Sequence, residues 1–180
     1  MQRLFDAHKA AEGSGAPGRR WRTEQINWAL ALLLAAEFQG FARDLHDEAG
    51  ATFALEGGIG NSTLESILKA RVTQNRQLDR GNANPGNLGS DFKILGLDLW
   101  ADLAEGWPAK KPRWNAYLAE LNTARNAIAH SNSGEIASLG VNLRAVKKWH
   151  RSLDGLASAM DDVVGKHLKD LFKISDPWQP

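Results

Sequence analysis

Residues 114–131 read W-N-A-Y-L-A-E-L-N-T-A-R-N-A-I-A-H-S. Placed on a helix at about 100° per residue, Trp114, Tyr117, Leu118, Leu121, Ala124 and Ile128 share one face, and Arg125 falls in the middle of it. The pattern predicts a helix that breaks at Ser131-Asn132-Ser133-Gly134. A guanidinium on a buried stripe has to be paired or used, because burying it bare costs several kcal/mol or more. His130 follows five residues later, about 7.5 Å along the axis and roughly 140° round. At a helix C-terminus the cationic imidazole is favoured, so this position can change charge near neutral pH. A structural reading stands beside the chemical one: Arg125 pairs with an inward carboxylate, and His130 caps the last carbonyls.

Outward from this stretch the chain keeps the same period. Ile26, Leu30, Leu33, Leu34, Phe38, Phe41 and Leu45 predict a long helix over 23–49, with Thr23 as its N-cap. The run 28–36 is apolar nearly all round, which implies neighbours on several sides. The glycines of 53–60 predict a loop; no lysine of the phosphate-loop kind accompanies them. Ser62-Thr63-Leu64-Glu65 reads as a capping box for a helix to about 79, with Leu64, Ile67, Leu68 and Val72 inward. Residues 81–87, G-N-A-N-P-G-N, predict a loop, and Ser90 a cap for a short apolar helical piece that Gly106 ends. Pro112 suits the first turn of the helix over 114–131. After a short excursion at 135–140, Asn142 caps a last helix to about 172, whose stripe runs from Leu143 through Val146, Trp149, Leu153, Leu156 and Met160 to Leu171. No segment alternates as a strand does. The expected fold is therefore all-α, a helical bundle of four to five main helices with antiparallel neighbours. The expected organisation is a short helix and flexible lead-in over 1–22, with a basic knot of Arg19, Arg20 and Arg22, then the helical domain over 23–173 and a tail over 174–180.

Composition excludes several chemistries. The chain has 180 residues, 43% of them apolar, and no cysteine, so disulfides and thiolate metal sites are out. The formal net charge of +1 gives no global basic field. No signal-peptide apolar region opens the sequence and no run spans a bilayer, so a cytoplasmic protein without membrane contact is expected. No G-x-S-x-G occurs and no βαβ unit supports a dinucleotide fold. His46, Asp47 and Glu48 lack an evident third and fourth metal ligand, so neither a metal nor another cofactor is expected. The basic residues Arg144, Lys147, Lys148 and Arg151 open the last helix; an antiparallel return would bring them near His130 as a phosphate-tracking surface, with Ser131 beside it. Lys110, Lys111 and Arg113 lie about three turns or more away, at the other end of the helix.

R-N-A-I-A-H followed by a small polar residue resembles the signature of the HEPN superfamily, an arginine, a polar residue, three more residues and a histidine. Three further stretches resemble its RiboL-PSP-HEPN branch in order: A-L-L-L-A-A-E-F-Q-G-F-A-R-D-L, the loop G-N-A-N-P-G-N-L with F-K-I-L-G-L, and L-N-T-A-R-N-A-I-A-H-S. Together they cover roughly residues 23 to 170. The resemblance implies a HEPN-like homodimer that brings two copies of the motif into one cleft. It implies a metal-independent endoribonuclease, a toxin, antiviral defence or stress effector, restrained by an antitoxin or regulatory protein. Carried over, Arg125 holds the scissile phosphate, His130 acts as general acid or base on the RNA 2′-OH and leaving oxygen, and Asn126 orients the pair. One departure is plain: many members carry a Glu followed four residues on by Lys or Arg, whereas here Glu37 is followed by Phe41, and the nearest basic residue is Arg43. The alternative is a non-catalytic HEPN-like module that binds a protein partner or nucleotide.

Overall fold

The computed structural model describes Arg3, Phe5, Asp6 and residues 21–178. The expected helix over 1–12 lies outside them except at those three residues, which are helical, and the glycine-rich break and Arg19–Arg20 lie outside altogether. Besides these three residues, the described residues form seven α-helices, one 3-10 turn and no strand. They are α1 (Trp21–Gly58), α2 (Ser62–Thr73), the turn Gln77–Asp79, α3 (Pro85–Ile94), α4 (Leu99–Gly106), α5 (Lys111–Ala129), α6 (Ser133–Leu139) and α7 (Leu143–Phe172). Four exceed ten residues, so the all-α bundle is as expected. None is long and apolar enough to cross a membrane.

The two longest helices follow their apolar stripes. Leu30, Leu34, Phe38, Ala42, Leu45 and Ala49 of α1 are buried, as are Val146, Trp149, Leu153, Leu156, Met160, Val164 and Leu168 of α7. α1 packs against α2, α5 and α7, and α5 packs against α7. The all-apolar stretch of α1 is not covered all round: Ala29, Leu32 and Ala36, at one-turn steps, face solvent.

Several expected boundaries move, each for a local reason. The glycine-rich segment read as a loop continues α1 to Gly58. Gly57 and Gly58 serve close packing instead. A Cβ on Gly58 would lie 2.2 Å from Glu65 Cγ, and one on Gly50 would lie 3.0 Å from a Val72 methyl, so α2 lies tight against the end of α1. The hairpin turns at Ile59 (φ 50°) and Gly60 (φ 73°). Asn61, not Ser62, caps α2, its Oδ1 accepting from Thr63 and Leu64 N–H at 3.1 Å. Because α2 rests mainly on α1, only a narrow stripe is covered: Val72 is buried, but Ile67 is 58% exposed and Leu64 39%.

α2 stops at Thr73 rather than near 79, where the 3-10 turn takes over. α3 begins inside the stretch read wholly as loop, because Asn84 caps it and Pro85 fits its first turn. Ser90 is therefore mid-helix, and Gly96 (φ 81°) separates α3 from α4, which Asp98 caps. The expected excursion at 135–140 is instead mostly helix, α6, which begins at Ser133. The chain end packs back: Thr52 Oγ1 donates to the Pro177 carbonyl (2.7 Å) and the Trp178 indole lies over Gly165.

Candidate functional site

The buried face of α5 is narrower than its wheel. Trp114, Leu118, Leu121, Ala124 and Ala127 are buried, while Tyr117, Arg125 and Ile128 are half-buried. Arg125 sits at the edge of the stripe and needs no inward carboxylate. Among the described residues none lies within ion-pair distance of it. Its Nη1 donates to Asn126 Oδ1 (3.1 Å), and Asn82 Nδ2 donates to the same oxygen (2.8 Å). Asn126 is thus an acceptor shared between the motif arginine and the loop before α3. That loop is fixed in turn: Asn122 Nδ2 donates to the Ala83 carbonyl (3.0 Å), Asn87 Nδ2 to the Asn82 carbonyl (2.7 Å) and Gln39 Nε2 to the Gly81 carbonyl (2.9 Å).

His130 is the C-cap of α5 and is exposed; its backbone N–H, not its imidazole, makes the cap, donating to the Asn126 carbonyl. The chain then leaves by a Schellman arrangement: Asn132 N–H donates to the Ala127 carbonyl and Ser131 N–H to the Ile128 carbonyl. The left-handed residue in this arrangement is usually glycine. Here it is Ser131, at φ 53° and exposed, so the position next to His130 carries backbone strain.

The basic residues of α7 come together elsewhere on the same helix. α5 and α7 run antiparallel, with Trp149 Nε1 donating to Glu120 (3.0 Å) and the Trp114 indole against Gly155. Between them lies a cleft of about 870 Å³ lined by Arg144, Lys147, Lys148 and Arg151 of α7, together with Lys110 and Arg113 at the start of α5. All six are exposed at its walls, and no carboxylate among the described residues lines it. Lys148 Nζ sits 4.3 Å from the centroid of the Tyr117 ring. At the rim, Lys147 Nζ lies 5.6 Å from the centroid of Phe5, whose ring also meets His150 edge-on.

The four α7 cations thus share one cleft, and Arg125 and Asn126 share one hydrogen bond, but the two sets part within a chain. Arg125, Asn126, His130 and Ser131 do not line the cleft. Asn126 is nine residues from Tyr117, which places it about 180° round α5. Lys110 and Arg113 belong with the α7 cluster although they lie far from His130 along α5. Trp149 facing Glu120 sets this register, so α7 passes Tyr117 and Arg113 on its way from the motif end.

A buried polar cluster escaped the sequence reading. His46 is wholly buried; Nε2 faces the Asp91 carbonyl (3.1 Å), Nδ1 faces Arg76 Nη1 (3.5 Å) and the ring stands on Phe92. With Arg76 as donor at Nδ1, the imidazole is neutral and carries its proton on Nε2. Burial pushes its pKa below the ordinary value, and the Arg76 charge adds to this against the Asp91 carbonyl. Arg76 is 7% exposed and grips Asp79 with two nitrogens (2.9 and 3.1 Å) and Asp47 with Nη1 (2.6 Å). Burial opposes the Arg76 charge, but these carboxylates outweigh it; the Arg76 hydrogen bond in turn holds Asp79 below the usual carboxylate range. Asp91, 1% exposed, accepts from Gln77 and Leu78 N–H at 2.8 Å each. This cluster anchors the 3-10 turn, and through it the loop that carries Asn82. Its one sequence signal was a lone His-Asp pair on an apolar helix.

Comparison of the chain with family models, with curated proteins and with solved structures gives no match.

Proposed function

We propose that the protein is a metal-independent endoribonuclease of HEPN type, acting as a homodimer. The observation that carries this reading is the end of α5: Arg125 is presented without a carboxylate partner among the described residues, Asn126 is held by Asn82, and His130 follows as an exposed cap. RNA brings its own nucleophile, so the protein needs only a proton-transfer group and a fixed cation. The 2′-OH attacks the adjacent phosphorus and gives its proton to one His130. The P–O5′ bond breaks, and the leaving oxygen takes a proton from the His130 of a second copy. Arg125 neutralises the phosphorane, and Asn126 keeps Arg125 in place. The products are a 2′,3′-cyclic phosphate and a 5′-hydroxyl. A solvent-facing motif suits a twofold pairing in which each copy lends half of the site. A cytoplasmic toxin, defence or stress role under a restraining partner follows from the same reading.

A second reading has its own support. The cleft lies on the side of α5 away from Asn126, which favours a module that binds a partner or nucleotide without cutting. One experiment separates the two: incubation of a structured RNA pool in EDTA with wild type, Arg125→Ala and His130→Ala at matched dimer content. Cleavage by wild type alone, with cyclic-phosphate ends, supports the ribonuclease. Equal activity or none in all three, or 5′-phosphate ends, refutes it.

A further inference from the structure

The cleft between α5 and α7 has a feature that its surface charge does not explain. Ser152, in the middle of α7, lines its floor at 9% exposure, and its Oγ is buried without a hydrogen-bond partner. A serine inside a helix commonly returns its hydroxyl to its own backbone. This one does not, although Ser152 lines the same cleft as the six cations. A buried hydroxyl without a partner costs stability unless something brought into the cleft accepts its proton. Six cations and, among the described residues, no carboxylate make that occupant an anion, and a net charge of only +1 makes the field local to this cleft.

The spread of charge says which anion. On α7 the lining runs from Leu143 to Gly155, about 18 Å of helix rise. Arg144, Lys148 and Arg151 recur there about once per turn, roughly 5.4 Å apart. Successive phosphates along a nucleic-acid strand have a similar spacing, whereas those of a compact polyphosphate lie much closer together. The lining is long enough for about three phosphates of one strand. We propose that the cleft is a backbone-tracking site for a single nucleic-acid strand. Phosphates lie along Arg144, Lys148 and Arg151, Lys110 and Arg113 close the other wall, and Ser152 Oγ donates to a phosphate oxygen at the floor. The site reads phosphate rather than base, because Lys148 covers a face of Tyr117. From Trp149 opposite Glu120, Arg144 comes level with Arg125, so the strand leaves the cleft toward the motif end of α5. The site gives the ribonuclease reading a substrate class, but it uses none of the residues that cut and stands without them.

The test is fluorescence anisotropy of a fluorescein-labelled single-stranded DNA ten-mer with the full chain. DNA lacks the 2′-OH, so binding is read apart from cleavage. Wild type and His130→Ala are expected to bind within twofold of each other. Arg144→Glu with Arg151→Glu is expected to weaken binding at least about tenfold at unchanged melting temperature, and to flatten the log–log salt slope by about 1.4, at about 0.7 per lost phosphate contact. Ser152→Val is expected to weaken binding about threefold or more. Unchanged affinity in either variant overturns the proposal. So does displacement of the strand by inorganic tripolyphosphate, or by duplex, at equal phosphate concentration. A chain that binds the strand but cuts no RNA refutes the ribonuclease and leaves this site standing.

Discussion

Asp91→Asn is the smallest change that separates the loop carrying Asn82 from its anchor. The carboxylate is 1% exposed, and its two oxygens accept one backbone N–H each, from Gln77 and Leu78. Asparagine keeps the shape but turns one of these oxygens into an NH₂. One backbone N–H then faces a donor on a side chain that is almost wholly buried. Losing a charge-assisted bond costs about 1.5–3 kcal/mol, and a stranded buried donor about 1–3 kcal/mol. The two overlap, since both describe the same lost contact, so we expect about 3 kcal/mol in all. For a chain of this size that lowers the melting temperature by roughly 6–12 °C. Urea unfolding followed by circular dichroism measures it. Asp98→Asn is the control, because Asp98 is an exposed N-cap and asparagine caps as well as aspartate. A loss below about 1 kcal/mol for Asp91→Asn, or the same loss in both variants, would refute the assigned role of the carboxylate.

Further perturbations follow from the same geometry. Stability should fall as the pH drops below about 6.5, because the unfolded chain then binds a proton that buried His46 refuses; the slope of urea midpoint between pH 7 and 5 should shrink in His46→Gln. Asp79, whose pKa Arg76 lowers, adds loss of the same sign at more acid pH, below the ordinary carboxylate value. Ile59 is β-branched, 87% exposed and at φ 50°, so Ile59→Asn should raise stability by about 0.5–1 kcal/mol, with no buried area lost. Ser131→Gly should relieve the left-handed turn after α5 and raise the melting temperature by a degree or two, on the order of 0.5 kcal/mol; on the proposed ribonuclease reading it should also weaken RNA cleavage, and a gain in both would remove the Ser131 hydroxyl from the proposed site.

Periodicity carried most of the fold because long helices bury long stripes. The α7 stripe from Val146 to Leu168 is buried as its spacing demands, and α5 and α1 follow the same rule. The misreadings all fall where a residue has two uses. Glycine serves as a turn residue and as a site of close helix approach. At 57–58 the second use wins, because α2 returns directly along α1 and needs the missing Cβ. Asparagine serves in loops and as a cap, and in G-N-A-N-P-G-N the second use starts a helix one residue before the proline. Leucine and isoleucine at helical spacing imply a covered face only when there is a partner to cover it. α2 has too little, so Leu64 and Ile67 stay exposed.

The site was legible along the helix but not around it. A wheel put Arg125 in the middle of the buried face because it weighs every apolar residue alike. The real centre is set by the large residues that meet α1 and α7, and it rotates away, leaving Arg125 at the edge where its guanidinium reaches Asn126. The α7 cations share a face, since i, i+3, i+4 and i+7 do so on any helix. Which side of α5 they meet depends on the interhelical register. One tryptophan–glutamate hydrogen bond, between residues 29 apart in sequence, marks that register. Hence Lys110 and Arg113, which look remote from the α7 cluster when counted along the chain, are its neighbours across the cleft. Asn82 is hidden from counting in the same way. Its contact with Asn126 spans 44 residues and depends on Asp91 and Arg76 holding the turn between. Residues that position a site across such distances leave no local pattern, and only the packed bundle brings them together.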